Sequence, residues 1–170
     1  MPESPKNRMT ARCACGRVGL GASGAPIMSV VCYCDDCQKG ARRIEALPNA
    51  RPVRDPDGGT AYVLYRKDHV ARSRGAGLLQ GYKIGEESAT ERVVATCCNS
   101  AMYLDFEKGH WLSVYRARFA GDAPPLQMRV QTKFKPENGD VEGDVPGYPG
   151  YPLKCMAKLA AARISMLLRR

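Results

Sequence analysis

Seven of the eight cysteines fall into three tight groups, Cys13-Ala14-Cys15, Cys32-Tyr33-Cys34-Asp35-Asp36-Cys37 and Cys97-Cys98, and only Cys155 stands apart. The central group constrains the chain most, because three thiols within six residues must meet at one point. Cys34 and Cys37 have the offset of the Cys-x-x-Cys knuckles that hold zinc, with each sulfur about 2.3 Å from the metal. A helix starting at Asp35 and running through Gln38, Lys39 and Arg42 is predicted, with the Asp35 carboxylate capping its free N–H groups. The dipole of that helix would favour Cys37 as thiolate. Three ligands do not close a tetrahedron, and neither His69 nor His110 is close in sequence to complete it. An open fourth position separates catalytic from structural zinc.

Eight cysteines in a secreted chain would suggest disulfides. Here Lys6 and Arg8 are followed by no apolar stretch that could serve as a signal peptide, so the spacing favours metal and the expected location is cytoplasmic. No apolar run approaches the roughly 20 residues of a membrane span, and no membrane partner is expected. With 170 residues, 44% of them apolar and 25% charged, the chain fits one domain with a sizeable core. A net charge of +9 attracts anions, from nucleic acid to small acidic substrates, without choosing between them.

In chain order, a flexible N-terminus is expected over residues 1–11, a zinc-binding domain over 12–135, and a Pro/Gly-rich linker with a C-terminal amphipathic helix over 136–170. Gly16 allows a tight turn after the first thiol pair, into a strand over Arg17 to Leu20. Gly21 to Pro26 reads as a turn and Ile27 to Val31 as the strand that delivers Cys32. Gly40 to Gly59 reads as a short helix and a loop beside the metal. Alternation and β-branched or aromatic content predict strands over Thr60–Arg66, His69–Arg74, Leu78–Ile84, Glu91–Cys97, Met102–Phe106, Leu112–Phe119 and Gln127–Lys135. Strands at this spacing indicate an all-β domain. In the tail, Leu153, Met156, Ala157, Ala160, Ile164, Leu167 and Leu168 fall on one helical face, with Arg169 and Arg170 where the dipole favours cations. That face is expected to dock on the domain or on a second copy, in preference to a membrane surface or nucleic acid; a homodimer is one expectation.

These motifs, Cys13-Ala14-Cys15-Gly16-Arg17-Val18, the central cysteine loop, Gly59-Thr60 and Cys97-Cys98-Asn99-Ser100-Ala101, together resemble the glutathione-dependent formaldehyde-activating enzyme and centromere protein V family (GFA/CENP-V) from about Cys13 to Tyr115. The resemblance implies a β-tent fold and up to two Zn2+ ions. Cys32, Cys34 and Cys37 would form the catalytic-type site, and Cys13, Cys15, Cys97 and Cys98 the structural one. The chain departs from the family where Cys-x-x-Cys-Gly is replaced by adjacent cysteines followed by Asn99. Adjacent residues rarely both face one metal, so Cys98 is the expected ligand, with Cys97 swinging in or lost. Tyr33 replaces a common His, and Gly40 arrives earlier than the family's Ser-Gly.

Three thiolates on Zn2+ leave a charge of about −1 and a weak Lewis acid, which suits a soft thiol ligand better than water hydrolysis. The expected chemistry is that of a carbon–sulfur lyase, making or breaking a thiol–aldehyde adduct. By the resemblance, the partners are glutathione and formaldehyde. Tyr33, Asp35 and Asp36 are candidates for proton transfer, against plainer roles as helix cap and pocket wall. His69 and His110 are read as packed or surface residues, Trp111 as a core anchor and Cys155 as a small buried hydrophobe. The alternative is a non-enzymatic, zinc-stabilised binding module, with Arg42, Arg43, Arg72, Arg74 and the tail contacting nucleic acid or protein. Zinc or thiol redox sensing is a third reading.

Overall fold

The structure is a computed structural model and describes residues 8–136, 143 and 145–168. Residues 1–7 of the expected N-terminal tail, much of the expected linker, and Arg169 and Arg170 lie outside the described residues.

Ten strands are described: β1 (Arg8–Arg12), β2 (Gly19–Ser23), β3 (Met28–Cys32), β4 (Thr60–Arg66), β5 (Val70–Arg74), β6 (Leu79–Tyr82), β7 (Thr90–Ala95), β8 (Ser100–Phe106), β9 (Trp111–Tyr115) and β10 (Met128–Val130). Two α-helices join them, α1 (Asp35–Glu45) and α2 (Leu153–Leu168). The strands form two sheets, a small one in the order β1-β2-β5 and a large one in the order β10-β3-β4-β9-β8-β7-β6. All pairs are antiparallel except β10 on β3.

The large sheet is buried on both faces, which is why β4 reads as a nearly continuous apolar run. Its Val63 and Tyr65 join one core with Val18, Leu20, Met102 and Phe119, whereas Tyr62 and Leu64 join a second with Met28, Ile44, Tyr115, Met128 and Cys155. In β7, Val93 and Val94 belong to different cores, and the register shifts between them against β8. Trp111 packs against the second core, with its ring 5.8 Å from that of Phe106.

Several element boundaries differ from the sequence expectation. The expected tail is shorter, because Arg8–Arg12 pairs along its length with β2 and buries Ala11. β2 continues to Ser23, through part of the expected turn. β7 stops at Ala95, so that Cys97 and Cys98 sit in a turn. After Tyr115 the chain goes into 3-10 turns over Arg116–Asp122 instead of continuing as strand. Only Met128–Val130 of the expected last strand pairs, because Gln131 at φ 59° turns the chain away.

The tail helix docks by a different face from the one expected. Cys155 is buried with its Sγ 3.5 Å from Met28 Sδ, the Leu159 carbonyl lies 2.8 Å from His110 Nε2, and Arg66 donates to Ser165 Oγ at 2.9 Å. Leu153, Met156, Ile164, Leu167 and Leu168 are exposed. Polar anchors with Cys155 and Leu159 therefore chose the docked face, against the more numerous apolar residues opposite.

Candidate metal centres

β3 ends at Cys32, and the Tyr33 amide is held by the Val130 carbonyl of β10 at 3.1 Å. The chain then enters α1 with Cys34, not Asp35, as its N-cap: the Cys34 sulfur accepts from the Cys37 amide at 3.4 Å. A capping sulfur accepts the amide and stays on the inner side of the turn, so the knuckle and the cap are one structure. The Cys32, Cys34 and Cys37 sulfurs all lie within 4.8 Å of one another. Cys32 and Cys37 are buried and Cys34 is half-buried.

Electrostatically the three thiols act as one group. Hydrogen bonds from Cys32 and then Cys37 hold Cys34 down to about 3. Cys32 is pushed up to about 12, chiefly by its bond to Cys34, and Cys37 is raised, chiefly by its bond to Cys32. The first proton therefore leaves from Cys34.

Around the cluster stand residues absent from the sequence-based site. Arg92 of β7 is 3% exposed, donates to the Asp36 carbonyl at 2.8 Å, and its charge helps lower Cys34. Among the described residues it has no carboxylate within ion-pair distance. A buried guanidinium without a carboxylate is costly unless another anion balances it, and an anionic thiolate centre supplies one. Gly40 makes room for it: a Cβ there would sit 1.8 Å from Arg92 Nε. Tyr62 and Tyr115 pack with ring centroids 5.0 Å apart and planes tilted by 51°; burial first, then the charge of Cys37, raises both phenols. Tyr151 is 54% exposed as a residue, and its phenol is raised, first by burial and then by the charges of Cys32, Cys34 and Cys37 beside it. The only sequence signal for Tyr151 was the aromatic content of the Gly147-Tyr148-Pro149-Gly150-Tyr151-Pro152 stretch. Arg92 had none, since a basic residue in a strand reads as solvent-facing.

Of the candidates for proton transfer, Tyr33 is fully buried. Its hydroxyl donates to Asp57 Oδ2 at 2.5 Å and accepts from Arg129 at 2.6 Å. Gly59 is required there, because a Cβ would meet the Tyr33 ring at 2.8 Å. Gln38 Nε2 clasps the Tyr33 and Phe134 carbonyls at 2.7 and 2.9 Å. Tyr33 thus anchors the loop backbone in a buried polar network. Asp35 and Asp36 are exposed in the first turn of α1, favourable for the helix dipole.

The second centre gathers Cys13, Cys15, Cys97 and Cys98, whose sulfurs all lie within 4.8 Å of one another. Cys13–Cys15, Cys13–Cys97, Cys15–Cys97 and Cys97–Cys98 are 3.6, 3.8, 3.4 and 3.9 Å apart. A tetrahedron of thiolates about 2.3 Å from a metal has edges of about 3.8 Å, so the donor set fits a closed centre. Of the two alternatives for Cys97, swinging in or lost, the structure has the first: its sulfur contacts the other three. The turn after β7, with Asn99 at φ 51°, lets adjacent cysteines face one point. The Arg17 amide and then the Cys97 thiol lower Cys15 to about 6, while burial and then Cys15 raise Cys97 to about 12. Burial pushes Cys98 up, but the Ser100 hydroxyl at 3.1 Å and the Cys15 amide leave it lowered.

Neither histidine joins a cysteine cluster among the described residues. His110 binds the Leu159 carbonyl, and the ring of His69 packs against Gly24. Of the basic residues in the binding-module reading, Arg42 and Arg43 lie on α1 and Arg72 and Arg74 on β5 of the other sheet.

A mostly β domain carries, among its described residues, one four-thiol and one three-thiol cluster, each of which could hold a metal ion. Residues 8–48 match the model of the family described as glutathione-dependent formaldehyde-activating enzyme. That span contains the first thiol pair, the central loop and α1. No curated protein matches the chain. Among solved structures, a crystal structure of a Rhodobacter sphaeroides protein, a structural-genomics target, is similar at 17% identity and TM-score 0.50, covering 82% of this chain and all of that one. This likeness concerns the fold. No described helix is long and apolar enough to cross a membrane.

Proposed function

We propose that the protein is a zinc-dependent carbon–sulfur lyase of its family, acting on a thiol–aldehyde adduct such as S-hydroxymethylglutathione, on the family's β-tent. The observation that carries this reading is the three-sulfur group of Cys32, Cys34 and Cys37, all within 4.8 Å, with no fourth Cys, His, Asp or Glu grouped with it among the described residues. Zinc bound there would supply a soft fourth position that lowers the pKa of a substrate thiol and fixes its sulfur. The four-thiol centre would hold a second zinc as structural support.

The reaction is addition of a thiol S–H across an aldehyde C=O, or its reverse: the C–S bond forms, the proton passes to the carbonyl oxygen, and no redox partner is needed. Arg92 offsets the negative charge of the thiolates. Tyr151 keeps its proton beside Cys32 and can donate a hydrogen bond to an oxygen brought there. The Tyr33–Asp57–Arg129 network fixes the loop so that the three sulfurs converge.

The test is turnover of S-hydroxymethyl thiols by the zinc-loaded protein and by Cys34→Ser. Activity that falls at least a hundredfold supports the reading; a variant as active as the parent sinks it. Nothing in the arrangement of the basic residues favours the binding-module alternative, since they lie on separate elements.

A further inference from the structure

Helix α2 carries two different faces. At about 100° per residue, Cys155, Leu159, Ala162 and Met166 form the docked side, while Leu153, Met156, Ala157, Ala160, Ile164, Leu167 and Leu168 span an opposite arc of about 120°. That arc is in water: Leu153 is 87% exposed, Ile164 58% and Leu168 82%. Lys154 borders it on one side and Arg163 on the other, both exposed, and no acidic residue occurs between Leu153 and Leu168. Soluble domains seldom leave such a contiguous apolar face bare without a partner for it.

The composition of the arc selects among partners. Two copies packed face to face would bury the leucines but bring rows of like charge together, with no carboxylate on either helix. Nucleic acid would neutralise Lys154 and Arg163 and leave the leucines in water. A groove that wraps a helix needs more than one free face, and the other face of α2 is held by His110, Arg66 and Met28. A surface that is flat, apolar at depth and anionic at its rim accepts both features, with the cations at the headgroups and the leucines among the acyl chains. The net charge of +9 acts in the same sense at longer range.

We propose that the exposed face of α2 docks the folded protein on an anionic lipid bilayer, lying in the interface without crossing it. This departs from the sequence expectation of no membrane partner. It is independent of the chemistry proposed for the cysteines.

The experiment is co-sedimentation of the full-length, zinc-loaded protein with vesicles of phosphatidylcholine alone and of phosphatidylcholine with about 30 mol% phosphatidylserine. Each is run at about 0.1 M and about 0.5 M salt, with light scattering at the same protein concentration. Binding should be at least about tenfold stronger to the anionic vesicles and weaken at the higher salt. Ile164→Asp and Leu168→Asp alter exposed positions and should keep the parental circular dichroism while binding falls about tenfold or more. Lys154→Gln with Arg163→Gln should lose most of the preference for anionic vesicles. Absence of binding, equal binding by Ile164→Asp, or a dimer that Ile164→Asp dissolves without any vesicle binding would each overturn the proposal.

Discussion

Replacing Gly40 by Ala opposes two effects of known sign. Gly40 lies inside α1, where Gly→Ala ordinarily stabilises by about 1 kcal/mol. The new Cβ, however, would stand 1.8 Å from Arg92 Nε and 2.5 Å from its Cδ, so the guanidinium must leave. Leaving breaks its 2.8 Å bond to the Asp36 carbonyl, and hydrogen bonds from charged groups contribute about 1.5–3 kcal/mol. A neighbouring cavity of about 180 Å3, lined by Gly40, Arg43, Ile44, Leu47 and Tyr82, gives the side chain somewhere to go and limits the penalty. The net expectation is destabilisation by about 0.5–2 kcal/mol, read by urea unfolding of the metal-loaded protein. In an Arg92→Ala background the clash is gone, and the same substitution should stabilise by about 1 kcal/mol. The sign reversal is the result that matters. If Gly40→Ala stabilises in both backgrounds, Arg92 is not locked by Gly40, and its placement beside the cysteine loop is refuted.

Elemental analysis of reduced protein should find about two zinc ions per chain, and about one in Cys34→Ser; Cys97→Ser and Cys98→Ser should each also lose one, and full retention by either would exclude that sulfur as ligand. Asp57→Ala leaves buried Arg129 and the Tyr33 hydroxyl without the carboxylate they share and should cost about 3–5 kcal/mol in urea unfolding, against about 1 kcal/mol for Tyr33→Phe. An equal effect of the two would mean the ion pair contributes nothing. His110 is lowered from its usual 6.5, first by burial and then, among charges, by Arg163, Arg66 and Lys67. Its stabilising contribution is therefore complete above 6.5 and is lost as pH falls through its lowered value, whereas His110→Asn should show a flatter stability profile over the same acid range.

Spacing alone made the central loop legible, because Cys-x-Cys and Cys-x-x-Cys restrict where sulfur atoms can be within one turn of chain. The β content was equally legible, since alternation and β-branched runs report burial on a pleated surface. Strand ends were not, and β7 shows why: Glu91 to Cys97 is uniformly strand-like, yet pairing stops at Ala95 so that a turn through Asn99 can aim two neighbouring thiols inward. The sequence placed seven cysteines in three local groups and predicted an apolar stripe on a terminal helix. Only the tertiary structure decided that two of the groups, more than eighty residues apart, form one centre, that Arg92 and Tyr151 stand beside the other, and that the stripe faces water. Local spacing sets which side chains can converge within one turn. Convergence across strands, and the face by which a helix docks, depend on partners that sequence distance does not encode.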